Sequence, residues 1–333
     1  MRYTHHTAAP FELLDTDELL DMPEPDWLVD GFVAEKSTTM IYGPWGLGKS
    51  FMVLDMVLTA STGSPWHGGI KVNKHLKTLY VVAEGASWWP RRVKAFEIGR
   101  GLYDPRNLLW YPKPVDLVNE GSGDIASLEM TLEKHKPDVI VFDTWVRCTS
   151  AFGMNENDAG AIAMVYNRLD YFRDEYNVSP VIVHHPRKND GEFRGSGNQA
   201  ASLEVVISLR PIKDSLDFTV HSEKGNHMEP WDPFRLSFHG VPVGKDKHGE
   251  EITSAYLDYE GSVTRVGAAG YLSEYDKARG FVTSVMSRPM VRAEIVKSLP
   301  TIGTAFEKVF ARLVAEGLLV KEGSPRAYTW RKP

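Results

Sequence analysis

Gly43-Pro44-Trp45-Gly46-Leu47-Gly48-Lys49-Ser50 decides how this chain is read, because G-x-x-x-x-G-K-S is the whole pattern of a phosphate-binding loop. Its flanks are the right ones. A short apolar strand, 38–42, leads in, and a helix that is apolar nearly all round leads out, beginning Phe51-Met52-Val53-Leu54. Glycines let backbone N–H groups turn inward around phosphate oxygens, and the helix N-terminus adds its dipole and orphan donors. Lys49 brings a point charge to the β/γ-phosphates and Ser50 a hydroxyl for Mg²⁺. The predicted nucleotide-binding set is therefore Gly43, Pro44, Trp45, Gly46, Leu47, Gly48, Lys49, Ser50 and Phe51, with ATP and Mg²⁺ as the ligands.

Outward from the loop, apolar runs alternate with helical patterns as far as about residue 238, the signature of an α/β fold on a mostly parallel sheet. The runs are 38–42, 78–83, 139–142, 181–183 and 205–209, and Ile162, Val165, Leu169, Phe172 and Tyr176 recur at helical spacing over Ala159–Tyr176. Segments 218–222, 234–238 and 253–259 read as later antiparallel strands. From residue 271 the pattern changes to three helices (271–287, 291–299 and 301–316, the last ended by Gly317) and a hairpin from 318–320 and 327–330, which resembles a winged helix. The expected organisation is an N-terminal arm, 1–35, an ATPase domain, 36–265, and a winged-helix domain, 270–333.

Composition sets bounds. The 333 residues are 42% hydrophobic and 25% charged, ordinary for a globular chain, with no apolar run long enough to span a membrane and no basic-then-apolar leader. One cysteine, Cys148, excludes an internal disulfide framework and cysteine-rich zinc modules, and a cytoplasmic setting is expected. The net charge is −6, yet residues 271–333 hold eleven Lys/Arg against six Asp/Glu. A basic tail on an acidic body suggests an anionic partner for the tail.

Two carboxylates suit the chemistry of the loop. Val139-Ile140-Val141-Phe142-Asp143 is an apolar strand ending in an acid, the form of the second motif of nucleoside triphosphatases, and places Asp143 to hold Mg²⁺ with Ser50. Glu84 ends the 78–83 run. In a sheet whose neighbouring strands end at Lys49 and Asp143, it would face the γ-phosphate and deprotonate the attacking water. His184-His185 ends another run. Adjacent strand residues point to opposite faces and no Cys or acid stands close in sequence, so a neutral imidazole donating to phosphate fits better than a metal site. The following segment carries Arg187, Lys188 and Arg194 among glycines, suited to tracking a phosphate backbone rather than reading bases.

With these residues in order, the chain over roughly 27–257 resembles the RecA-like ATPases of the hexameric replicative helicase group, most closely plasmid RepA-type helicases and their phage relatives. The phosphate loop is generic. The ordered set of Glu84, Val141-Phe142-Asp143-Thr144, Val183-His184-His185-Pro186-Arg187-Lys188 and Arg194-Gly195-Ser196-Gly197 is more specific. The resemblance implies Glu84 as general base, Asp143 as magnesium partner, and His184 or His185 as sensor of the γ-phosphate. It makes 147–158 and 187–198 channel-lining loops for single-stranded DNA. It implies a homo-oligomer, a hexameric ring or a filament, working with replication partners. The group places a basic pair after a late strand to reach a neighbour's γ-phosphate. Here Lys224 matches the first position and Asn226 stands at the second, with Arg210 or Arg235 as possible substitutes. A filament-forming, recombinase-like ATPase and a DNA-bound regulatory ATPase are the other readings of the same residues.

Overall fold

The computed structural model describes residues 13–22, 26–102, 104–155, 158–185, 203–225, 231–263, 278, 281–282, 286–298, 306–315, 317–323 and 328–333. The chain divides into two compact units, 1–231 with 235–261, and 232–234 with 262–333.

Along the first unit run α1 (Thr16–Leu20), β1 (Trp27–Val29), β2 (Val33–Ala34), β3 (Thr39–Tyr42), α2 (Lys49–Ala60), β4 (Thr78–Val82), α3 (Trp89–Arg100), β5 (Leu108–Tyr111), α4 (Asp124–His135), β6 (Val139–Asp143), α5 (Trp145–Cys148), α6 (Ala159–Tyr176), β7 (Ser179–His184), β8 (Val205–Pro211), β9 (Phe218–Gly225), β10 (Phe234–Lys245) and β11 (Glu251–Ser262). Among the described residues one sheet takes nine of these strands in the order β11-β10-β9-β8-β3-β7-β6-β4-β5. From β8 to β5 every pairing is parallel, and β8 turns antiparallel to β9. Every residue of β4, β6 and β7 is buried, as expected for strands covered on both faces, and this is why they read as unbroken apolar runs.

The expected strands are present, most of them longer than their apolar cores, and α6 has the expected bounds. Asp158 caps α6 by accepting from Gly160 N and Ala161 N, while Ile162, Val165, Leu169 and Phe172 face the core. β5 is an addition. Among the described residues this four-residue edge strand pairs with β4 alone and leaves Trp110 and Tyr111 exposed, so it lacks the apolar alternation that marks a strand in sequence. Within the stretch expected as an arm, β1 and β2 pair antiparallel, and Leu28, Val29, Phe32 and Val33 are buried. Phe32 stacks on Trp231 at 5.0 Å and meets Trp66 edge-on at 4.9 Å.

α2 carries the phosphate loop, and all of it from Met52 to Ala60 is buried. A buried polar chain fixes it. Trp66 Nε1 donates to Asp55 Oδ1 at 2.7 Å, His67 Nε2 lies 3.0 Å from the same oxygen, and Arg100 Nη1 donates to His67 Nδ1 at 2.8 Å. Because an arginine can only donate, Nδ1 is the acceptor and the proton sits on Nε2, aimed at Asp55. The chain links the middle of α2 to the end of α3.

In the second unit, β12 (Met290–Val291), α7 (Arg292–Ser298), α8 (Phe306–Ala315), β13 (Val320–Glu322) and β14 (Thr329–Arg331) follow in order. The strands form an antiparallel sheet, β12-β14-β13. Its core is aromatic. Phe306 stacks on Phe310 at 4.3 Å, and Trp330 meets both edge-on at 5.1 and 5.9 Å, with Ile295, Leu313 and Leu319 buried beside them. Gly317, at φ +73°, ends α8 as expected, with Gly317 N donating to Val314 O and Leu318 N to Leu313 O. Most of the expected helix 271–287 lies outside the described residues.

Candidate active site

The parallel strands bring the expected residues to one edge of the sheet. The phosphate loop leaves the end of β3, Asp143 is the last residue of β6, His184 the last of β7, and Glu84 stands two residues past β4. In open α/β sheets the crevice beyond the carboxyl ends of the strands is where ligands bind. One expectation is corrected. β4 adjoins β6 but not β3, because β7 and β6 both insert between them, so Glu84 neighbours Asp143 through the sheet and the loop only across the crevice. The link to β6 is direct: Ala83 N donates to Asp143 O at 2.7 Å.

Two glycines of the loop are required by their surroundings. Gly48, the N-cap of α2, lies at φ +98°, and a Cβ there would sit 2.6 Å from Phe238 Cζ and 2.9 Å from Phe218 Cε1. A Cβ on Gly43 would meet Leu209 O at 2.8 Å. Pro44, Trp45 and Gly46 form the exposed crest of the loop, with Trp45 87% exposed, while Leu47 is half-buried. Phe51 meets Phe238 edge-on at 5.2 Å.

Lys49 is buried and donates from Nζ to Gly43 O and Pro44 O, both at 2.8 Å. Burial lowers its pKa to about 8, against the pull of Asp143. Ser50 Oγ donates to Asp143 Oδ1 at 3.0 Å, and Tyr80 OH donates to Asp143 Oδ2 at 2.8 Å. Burial raises the Asp143 pKa, and the Tyr80 and Ser50 hydrogen bonds and the charges of Arg92 and Lys49 oppose the rise. A hydroxyl and a carboxylate in contact are the hard oxygen donors that Mg²⁺ takes, so this pair fits the ion.

The register Tyr42↔His184 sets the two histidines beside the loop. His184 is buried, and His185 is half-buried. Burial lowers the His185 pKa to about 4, helped by the charge of Lys49 and the nearby His184, while a hydrogen bond with the Gly43 backbone acts the other way. His185 is therefore neutral at physiological pH and lies against the loop itself. Glu84 is exposed, and its carbonyl accepts from Trp89 Nε1 at 3.3 Å.

Other expected residues stand apart from this cluster. Lys224 lies on β9 opposite Val206 and donates to Leu203 O. Arg210 pairs with Glu223 at 2.7 Å, and Arg235 pairs with Asp217. Of the segments expected to line a channel, the first begins as packed structure, since α5 buries Trp145 and Cys148 and leaves Arg147 exposed. Arg187, Lys188, Arg194 and Asn226 lie outside the described residues.

The sequence reading missed an aromatic wall on the β4 side. Tyr80 packs on Trp89 at 4.8 Å and on Trp110 at 5.4 Å. Arg92 Cζ lies 4.6 Å from the centre of the Phe51 ring and 5.1 Å from that of Trp89. Tyr80 did carry a signal. A phenol hydroxyl at the centre of a wholly buried strand calls for a partner, and the end of the neighbouring strand β6 offers Asp143.

Fold and site together define a P-loop ATPase, an α/β protein on a large, mostly parallel sheet. The chain belongs to the AAA domain family, whose model matches residues 5–191, more than half its length. A search of curated proteins returns no match. Solved structures similar to it include the RadB recombinase, with 17% identity, 61% of this chain and 88% of that chain covered, and a TM-score of 0.45. Another is the KaiC-like protein PH0186 from Pyrococcus horikoshii OT3, with 11% identity, 68% and 93% covered, and a TM-score of 0.45. Among the described residues no helix is long and apolar enough to cross a membrane.

Proposed function

We propose that the chain hydrolyses ATP as a homo-oligomer acting on single-stranded DNA, in the manner of a RepA-like replicative helicase. The observation that carries the hydrolytic part is the meeting of Lys49, the Ser50–Asp143 pair and His185 at one strand edge. Loop amides and Lys49 hold the phosphates, and Lys49 gives up the Gly43 and Pro44 carbonyls to do so. Ser50 and Asp143 hold Mg²⁺, which when bound supplies charge neutralisation on the phosphate oxygens. Glu84, exposed at the crevice, takes the proton of the attacking water. Neutral His185 touches both the loop and the strand that leads into 187–198, so it can report phosphate occupancy to the DNA-binding segment. Arg187, Lys188 and Arg194 are assigned to that segment by their chemistry. The second unit, with two described helices and a small antiparallel sheet, is proposed as a winged helix that binds a duplex or a partner.

The intrachain pairing of Lys224, Arg210 and Arg235 favours a second reading, a filament-forming, recombinase-like ATPase whose neighbouring sites are weakly coupled. Rings and filaments differ only in the rotation of one heterologous interface. The test is ATPase activity with and without single-stranded DNA, with a forked duplex to score unwinding. Arg187→Ala with Lys188→Ala should abolish the DNA stimulation, and deletion of 271–333 should retain it. Stimulation that survives the first change and vanishes with the second would replace both readings with a regulatory ATPase bound through its tail.

A further inference from the structure

We infer that His67 is a positioning residue for hydrolysis: by bridging Asp55 on α2 to Arg100 on α3 it fixes the angle of α3, and with it the place of Glu84 against the nucleotide that α2 holds. This rests on the ATPase reading above.

The bridge stands away from the phosphate end of both helices. Asp55 lies roughly 8 Å along α2 from Ser50 by helical rise, and Arg100 is the last residue of α3. The imidazole donates from Nε2 to Asp55 Oδ1 at 3.0 Å and accepts at Nδ1 from Arg100 Nη1 at 2.8 Å. Its orientation is fixed by its surroundings. The Trp66 ring lies 5.3 Å away and donates from Nε1 to the same Asp55 oxygen, and Tyr259 of β11 stacks on the imidazole at 6.5 Å. Gly68, at φ +68°, admits that tyrosine, since a Cβ there would come within 2.8 Å of Tyr259 Cζ.

Stability alone does not call for this chain. Asp55 is buried among apolar neighbours on α2, and among the described residues its Oδ2 has no hydrogen-bond partner. A well-packed apolar side chain there would serve the fold at least as well. What a buried polar chain adds is one fixed geometry. α3 is a rod of 12 residues, about 18 Å long, with Ala95 and Phe96 buried at its middle. His67 holds one end through Arg100. At the other end Trp89 Nε1 donates to Glu84 O, and Trp89 packs on Tyr80, whose hydroxyl holds Asp143. Releasing Arg100 therefore tilts the rod and moves Glu84, while Lys49 and Ser50 keep their places on α2. The fold does not depend on the bridge alone, because Asp104 N donates to Ser61 Oγ and Asn107 Nδ2 to Ser61 O, anchoring the chain after α3 to the end of α2.

The experiment measures kcat, affinity for a non-hydrolysable ATP analogue and thermal unfolding in wild type, His67→Phe and His67→Gln, each with Glu84 intact and with Glu84→Gln. His67→Phe keeps a ring but loses both nitrogens, and should lower kcat ~10- to 10²-fold, as a displacement near 1 Å does. Analogue affinity should hold. His67→Gln brings back one donor and one acceptor and should recover most of the lost turnover. In the Glu84→Gln background His67→Phe should change kcat less than ~2-fold, because residues that act as a unit are not additive. A purely structural bridge would instead lower the melting temperature and act equally in both backgrounds. Arg100→Met cuts the bridge at its half-buried end and should match His67→Phe, which decides the question if the histidine variant does not fold. Normal kcat in His67→Phe and Arg100→Met, equal losses in both backgrounds, lost analogue affinity, or a Gln variant no better than Phe would each overturn the assignment. A wild-type protein that hydrolyses no ATP would instead sink the underlying ATPase reading.

Discussion

On the β3 side of the site the chain satisfies itself: Lys49 rests on the carbonyls of its own loop, and Gly43 and Gly48 fit against Leu209, Phe218 and Phe238. On the β4 side Glu84 is exposed, Arg92 lies against the Phe51 and Trp89 rings, and Tyr80 reaches across to Asp143. The first side is a backbone device whose geometry forbids most side chains. The second is assembled from side chains on three elements that meet only in the folded sheet. Substitutions on the first side should therefore remove binding, and those on the second should spare binding and cut turnover.

The largest effect is expected at the loop. Gly48→Ala forces a left-handed backbone on a residue with a Cβ, at a cost of ~1–3 kcal/mol, and drives that Cβ into Phe238 and Phe218. Nucleotide binding should be lost and the melting temperature lowered, as read by fluorescent-nucleotide titration and thermal unfolding. A variant that binds normally would break the contrast between the two sides.

A smaller effect is expected across the sheet. Tyr80→Phe leaves a buried carboxylate oxygen of Asp143 without its hydroxyl donor, at a cost of ~1–3 kcal/mol. Denaturant unfolding should show the loss, and the Mg²⁺ dependence of hydrolysis should shift while ADP affinity holds. Unchanged stability would mean that water or rearrangement replaces the hydroxyl, and the aromatic wall would then be packing alone.

The smallest effect sharpens the comparison through pH. The Lys49 pKa in the free protein is about 8, so its charge is lost as pH rises through that value. A bound phosphate favours the charged form, so binding should take up a proton above about pH 8 and weaken steadily toward pH 9.5. Calorimetry in buffers of different ionisation enthalpy measures the uptake. His185, neutral down to about pH 4, should add no proton release or uptake near neutrality.

This contrast also explains what the sequence made legible. The loop, Asp143 and the order of the apolar runs could be read because backbone geometry ties them to fixed spacings and to glycine. Lateral order could not. Nothing in 78–83 says that β7 and β6 come between it and β3, so of the two neighbours expected for Glu84 the strand ending at Asp143 is adjacent and the one leading to Lys49 is not. β5 escaped because an edge strand ending Trp110-Tyr111 needs no alternation. Arg92 and Trp89 escaped because their meaning lies in a meeting with Phe51, from another helix, that no local pattern records.

Binding and hydrolysis are predicted to fall to opposite sides of one site, and Mg²⁺-dependent ATP turnover measured beside nucleotide affinity tests that division most directly. Lys49→Ala should lose both. Glu84→Gln should bind ATP almost as wild type does while turnover falls at least ~10²-fold, the lower range for a lost general base. Near-normal turnover in Glu84→Gln, or full affinity in Lys49→Ala, would contradict it.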